Sequence, residues 1–179
     1  MKLKPKIGIG DLIFGMSPEQ VYMLLGKPDR EYIDLYDDNH IHLEYYSLQL
    51  NLTFDKEEGT KLSSIHTSNE ALTYNGLKVL NRRIADVTQG IFKLLVKKWD
   101  VSAYNLSTCY TEYDYWLTLN VEYDRVKSIE LSVSFKNDEE HYWPPLPHEI
   151  SIEYPASLSY PNFVESPIYV ESNSDEIDM

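Results

Sequence analysis

The densest group of chemically capable side chains is Asp37-Asp-Asn-His-Ile-His42. On an extended segment His40 and His42 project from one face, where Asp37 or Asp38 could join them around a metal ion. A hairpin turn rich in Asp and Asn with two solvated histidines fits the same residues, and no second ligand pair stands elsewhere in the chain. Neither a metal nor a cofactor is therefore expected. Cys109 lies between Thr108 and Tyr110 in a strand-like stretch, without the glycine-containing loop that exposes a nucleophile, which suits a structural thiol. Glu112, Asp114 and Glu122 alternate toward one face of a predicted strand pair and could form a glycosidase-like pair of carboxylates. Trp116 between them suits a protein interface better. Gly8-Ile-Gly10 is too short for a nucleotide fingerprint, and neither a Walker-type lysine motif nor G-x-S-x-G occurs. The expectation is a protein that is not an enzyme.

Asp138, Glu139 and Glu140 directly precede His141, Tyr142 and Trp143. They read either as a solvated linker or as an acidic and aromatic mimic of phosphate and base that docks on a basic cleft. The charge distribution favours a basic protein partner. Of the net −13, residues 137–179 carry ten acids and no Lys or Arg, whereas residues 1–136 carry 19 acids against 16 bases. Such a field repels phosphate backbones, so nucleic acid is not expected as a partner. No apolar run approaches the roughly 18 residues that span a bilayer, so no membrane partner is expected either. The single cysteine fits a reducing compartment, and a cytoplasmic location is the expectation.

The elements that position these residues occur twice. Leu48-Gln-Leu-Asn-Leu-Thr-Phe-Asp55 returns as Leu117-Thr-Leu-Asn-Val-Glu-Tyr-Asp124 at an offset of 69, and Lys61-Leu-Ser-Ser-Ile65 returns as Arg125-Val-Lys-Ser-Ile129 at an offset of 64. Val21, Leu24 and Leu25 map onto Ile91, Leu94 and Leu95 at an offset of 70. Ordered matches of this kind indicate a duplicated supersecondary unit. Ser17-Pro-Glu-Gln20 forms a capping-box opening for a short helix that Gly26 and Pro28 end, and Asp86-Val-Thr-Gln89 opens the second copy. Alternation then takes over. Ile41, Leu43, Tyr45, Leu48, Leu50, Leu52 and Phe54 face inward in the first copy, and Tyr115, Leu117, Leu119, Val121, Tyr123, Ile129, Leu131, Val133 and Phe135 in the second. The predicted fold class is α+β, with two tandem repeats of a helix plus a four-stranded antiparallel sheet and a C-terminal extended arm. The expected boundaries are 1–75, 76–136 and an acidic, Pro- and aromatic-rich arm at 137–179 with a disordered end.

Ile9-Gly-Asp-Leu-Ile-Phe-Gly-Met-Ser-Pro-Glu-Gln-Val21, closed by Leu25-Gly-Lys-Pro28, resembles the opening of the domain shared by β-lactamase-inhibitory proteins and small outer-membrane-assembly lipoproteins. The second copy has Asn81-Arg-Arg83 and Lys97-Lys-Trp99 in the corresponding places. The resemblance implies a helical segment packed on a four-stranded sheet, and a tandem of such units whose sheets grip another protein. The functional expectation is a non-catalytic protein-binding module, an immunity-type inhibitor of a basic toxin or enzyme. Its contact residues would be Glu112, Asp114, Trp116, Glu122, Asp138, Glu139, Glu140, Tyr142 and Trp143. A housekeeping scaffold is the alternative class, and a metal-dependent hydrolase built on Asp37–His42 the third.

Overall fold

The computed structural model describes residues 1–34, 38–137 and 140–147. The chain opens with a small antiparallel ribbon of β1 (Leu3–Lys4), β2 (Gly8–Ile9) and β3 (Leu12–Ile13). Gly8 is required there: its φ is +149°, and an added Cβ would lie 2.0 Å from the Leu12 carbonyl oxygen. Helix α1 (Pro18–Leu25) follows, and its free N–H groups are satisfied reciprocally. The Gln20 amide donates to Ser17 Oγ at 3.4 Å, while the Ser17 amide donates to Gln20 Oε1 at 2.9 Å.

The main body is one eight-stranded antiparallel sheet. Its first half is β4 (Arg30–Ile33), β5 (His40–Tyr45), β6 (Leu50–Asp55) and β7 (Lys61–Thr67). After a hairpin of β8 (Thr73–Tyr74) and β9 (Leu77–Lys78) and the helical turn α2 (Ile84–Asp86), the second half is β10 (Asp100–Ala103), β11 (Thr108–Glu112), β12 (Leu117–Glu122) and β13 (Arg125–Ser132). Spatial order runs β10-β11-β12-β13-β7-β6-β5-β4. The last strands of the two halves pair with each other, Leu131 opposite Ile65 and Ser132 opposite Ser64.

This overturns the α+β expectation of two separate helix-plus-sheet repeats. The described chain is mostly β, and the duplicated strands fuse into a single sheet because β7 and β13 would otherwise leave two unpaired edges at the centre. The second helix also fails to form as expected. After Ile84–Asp86 the backbone widens into a π-turn over Val87–Ile91, with the Phe92 amide donating to the Val87 carbonyl at 2.9 Å. That extra residue shifts the helical phase. Ile84, Val87, Phe92 and Val96 become the buried set, whereas Leu94, an expected stripe residue, is fully exposed. In regular helix α1 the expected stripe of Val21, Leu24 and Leu25 likewise buries Val21 but leaves Leu24 43% exposed.

The duplication survives as matched backbone docking. The Gly15 amide donates to the Leu62 carbonyl and the Leu62 amide to Met16; in the second half Asn81 donates to Val126 and Val126 to Arg82. Both halves contribute to one hydrophobic cluster, in which Leu52, Phe54, Leu62 and Ile65 join Leu117, Leu119, Ile129 and Leu131, all at or below 1% exposure. Each such side chain stabilises the fold by roughly 1.5–3 kcal/mol relative to exposure. The alternate residues of the same strands form the opposite, polar face. Among the described residues no helix is long and apolar enough to cross a membrane.

Candidate functional site: the polar face of the sheet

Register aligns one row of side chains across all eight strands. Reading across, Arg30 stands opposite Glu44, then Asn51, His66, Glu130, Thr118, Thr111 and Asp100. Cross-strand partners share a face, so these groups form a continuous polar stripe. Its ionised members are Glu44, Glu130 and Asp100 against Arg30, an excess of negative charge. A parallel row runs through Tyr32, His42, Thr53, Ser64 and Ser132.

Hydrogen bonds tie the stripe together. Ser132 Oγ donates to Ser64 Oγ at 3.0 Å and Ser64 Oγ to Glu130 Oε1 at 3.2 Å, across the junction of the two halves. Asn120 Nδ2 donates to Ser128 Oγ at 3.1 Å, and the Thr111 and Thr118 hydroxyls share a bond of 3.1 Å. Burial lowers the pKa of His66, and the Glu130 carboxylate only partly opposes it, so the imidazole is neutral at pH 7. His42 is likewise lowered, first by burial and then by His40, against the pull of Asp34 and Glu44.

The outer edge of the first half is clamped. The Arg30 guanidinium lies 4.4 Å over the Tyr32 ring, which stacks on His42 at 4.9 Å. His42 Nδ1 meets Thr53 Oγ1 at 3.2 Å and its Nε2 lies 3.8 Å from Asp34 Oδ2. That order of hydroxyl, imidazole and carboxylate is the order of a nucleophile relay, but 3.8 Å exceeds hydrogen-bond length and the ring is held in a stack. Among the described residues no three His, Cys, Asp or Glu side chains converge as a metal site. Asp37, one of the expected ligands, lies outside the described residues.

The expected contact residues divide. Glu112 is only 7% exposed, and its Oε2 accepts from the Tyr115 amide at 2.9 Å. It stands opposite Leu117, a core residue, so it faces inward and closes the hairpin rather than joining the expected wet face, because the turn between Glu112 and Leu117 resets the alternation. It is also separated from Glu122 by the length of β12, about 17 Å at roughly 3.3 Å per residue, so the two cannot act as a glycosidase pair. Asp114 and Glu122 are exposed. Trp116 and Trp143 are partly buried in a ladder of rings: Tyr113–Trp116 at 5.7 Å, Trp116–Phe135 at 5.3 Å, Phe135–His141 at 4.4 Å and His141–Trp143 at 5.6 Å. Lys61 caps the ladder 4.9 Å from the Trp143 ring, and His141 Nδ1 meets Glu58 Oε1 at 3.2 Å. The two tryptophans thus brace residues 140–147 against the body. Glu140 is exposed and bonded to Lys136 and Asn137 at 3.2 and 3.3 Å, and Tyr142 is 46% exposed. Asp138 and Glu139 lie outside the described residues, as do 148–179 of the expected arm. Cys109 Sγ donates to Asn120 Oδ1 at 3.2 Å, within the polar network of the second half.

His66, Glu130, Asn51 and Glu44 went unremarked as a group in the sequence. The only signal was their parity on strands whose core residues alternate; their convergence depends on the β7–β13 pairing.

No family model and no curated protein matches the chain. Among solved structures it is similar to an extracellular protein containing an SCP domain from Bacillus anthracis str. Ames, at 14% identity and a TM-score of 0.44. It covers 76% of this chain and 51% of that one, so the chain spans about half the length of that relative. A DUF4309 family protein (YjgB) from Bacillus subtilis subsp. subtilis str. 168 is similar at 14% identity and a TM-score of 0.40, over 65% of this chain and 77% of that one.

Proposed function

We propose that the chain is a non-catalytic protein-binding module of the immunity type, which blocks a basic toxin or enzyme by covering its working surface. The observation that carries this reading is the polar stripe across all eight strands, in which three acids stand against one arginine. A rigid sheet offers such a row with its backbone already ordered, and Thr111 with Thr118 and Glu130 with Ser64 are hydrogen-bonded on it in advance. The ten acids of residues 137–179 extend the negative field and would speed encounter with a cationic partner. The exposed Asp114, Glu122, Glu140 and Tyr142 would then form a rim to the contact, while Trp116 and Trp143 hold that rim in place.

The test is affinity capture with the full chain followed by identification of the bound protein. A stoichiometric basic protein, released by moderate salt and lost when residues 137–179 are removed, is the expected outcome. Retention that ignores both salt and truncation favours a scaffold instead. One feature supports that second reading: all four residues of edge strand β10 are exposed, and the adjoining turn presents Tyr104 at 65% and Leu106 at 80% exposure. An unpaired edge strand beside exposed apolar side chains is suited to adding a partner strand.

A further inference from the structure

A depression of about 320 Å³ opens on the polar face where β5 turns into β6, lined by Glu44, Tyr46, Gln49, Asn51, His66 and Ser68. Two of its groups are acceptors with capacity to spare. Asn51 Oδ1 is buried with no hydrogen-bond partner, a state that costs on the order of 1–3 kcal/mol unless a donor arrives. The Glu44 side chain is 18% exposed and hydrogen-bonded to Tyr46, and among the described residues Arg30 pairs with it at a long 3.9 Å and is itself 58% exposed. The Tyr46 ring is 61% exposed and forms one wall.

We propose that this depression receives the guanidinium of an arginine side chain from a basic protein partner, an inference that rests on the protein-binding reading above. A carboxylate and an amide oxygen that lacks a donor call for a ligand that only donates. A guanidinium has five N–H donors in a planar fork and can lie against a tyrosine ring, which an ammonium matches less well. The face already holds one guanidinium in this manner, Arg30 over Tyr32. A neutral His66 removes the repulsion that a protonated ring would impose on the incoming cation. Asp29 accepts from the Tyr46 amide at 2.7 Å and adds negative charge behind that wall.

The test uses the full chain and N-acetyl-arginine methylamide, with the neutral citrulline analogue as control, followed by NMR of the Asn51 side-chain amide and the His66 ring. The expected result is a saturable shift of both with a dissociation constant in the millimolar range, and at least about tenfold weaker binding of citrulline. Glu44→Gln and, separately, Asn51→Leu should each weaken the arginine probe by about tenfold. Absence of saturation, or equal response to citrulline, overturns the proposal. The probe needs no protein partner, so failure here while affinity capture succeeds removes only the pocket. Probe binding without any captured protein removes only the inhibitor reading.

Discussion

The two halves of the sheet share strand order and turn chemistry but differ at their outer edges. In the first half, β4 is fastened by Arg30 over Tyr32, Tyr32 on His42 and Arg30 near Glu44. In the second, β10 has four exposed residues, and the Tyr113 hydroxyl donates to Asp100 Oδ2 at 3.0 Å. The difference teaches that duplication supplied a common backbone while decoration diverged. Side chains that brace the outer edge were placed in the first half and a fully exposed edge strand was left on the second, while the acids of the polar stripe come from both, Glu44 from the first and Glu130 and Asp100 from the second.

The strongest way to break the comparison is at the seam. Leu131→Ala removes a fully buried side chain opposite Ile65 and should cost about 2–5 kcal/mol. Because the halves share one core, urea unfolding followed by tryptophan fluorescence should remain a single transition shifted to lower denaturant. Two separated transitions would show that the halves fold independently. Next in size, Glu112→Ala leaves the Tyr115 amide without its acceptor inside a nearly closed hairpin, and should destabilise by about 1–3 kcal/mol in the same assay. Asp114→Ala on the exposed side of that hairpin should stay within about 0.5 kcal/mol.

The histidines sharpen the contrast through pH. Both His42 and His66 have folded pKa values below 6.5, so the unfolded chain binds protons more readily than the folded one. Above about pH 6.5 neither state is protonated and stability is flat with respect to these groups. Below it stability falls with pH until the folded pKa values are reached. His66→Gln should flatten that acid slope, as read from thermal unfolding between pH 5 and pH 7. The smallest effect belongs to the clamp: Arg30→Ala, with one exposed ion pair and one ring contact, should cost about 1 kcal/mol or less, and Val101→Lys on the bare edge should cost less still.

Much of the local structure was legible in the residues. The Ser17–Gln20 box forms as a reciprocal pair, and Leu43, Leu50, Leu52, Leu117, Leu119 and Leu131 are buried on alternating positions, because both signals depend only on neighbours a few residues away. Tyr123 and Phe135, expected inward by the same alternation, are 85% and 45% exposed, Tyr123 because it sits in the turn after β12 at φ 49° and Phe135 because it lies beyond the end of β13. The fusion of the sheets was not legible, since nothing local states which edge meets which. The π-turn at Val87–Ile91 hid behind a sequence that matches the first helix, and the shared stripe misleads at the same place in both copies, since Leu24 is 43% exposed in regular helix and Leu94 is fully exposed. Glu112 was misplaced because the turn before Leu117 resets the alternation. Within it Trp116 adopts φ 49°. The site suffered most. Its key groups, Asn51, His66 and Glu130, lie far apart in the chain and become neighbours only through strand register.

The central claim is that the acidic polar face binds a basic protein, and one capture experiment tests it most directly. The immobilised full chain and its Glu44→Lys, Glu130→Lys double variant are compared for a retained protein, with circular dichroism confirming that both are folded. The account predicts that the wild type retains one basic protein in stoichiometric amount and that the double variant loses it by at least about tenfold, since each reversed charge faces a like-charged partner. Equal retention by both folded proteins, or none by the wild type, would contradict it.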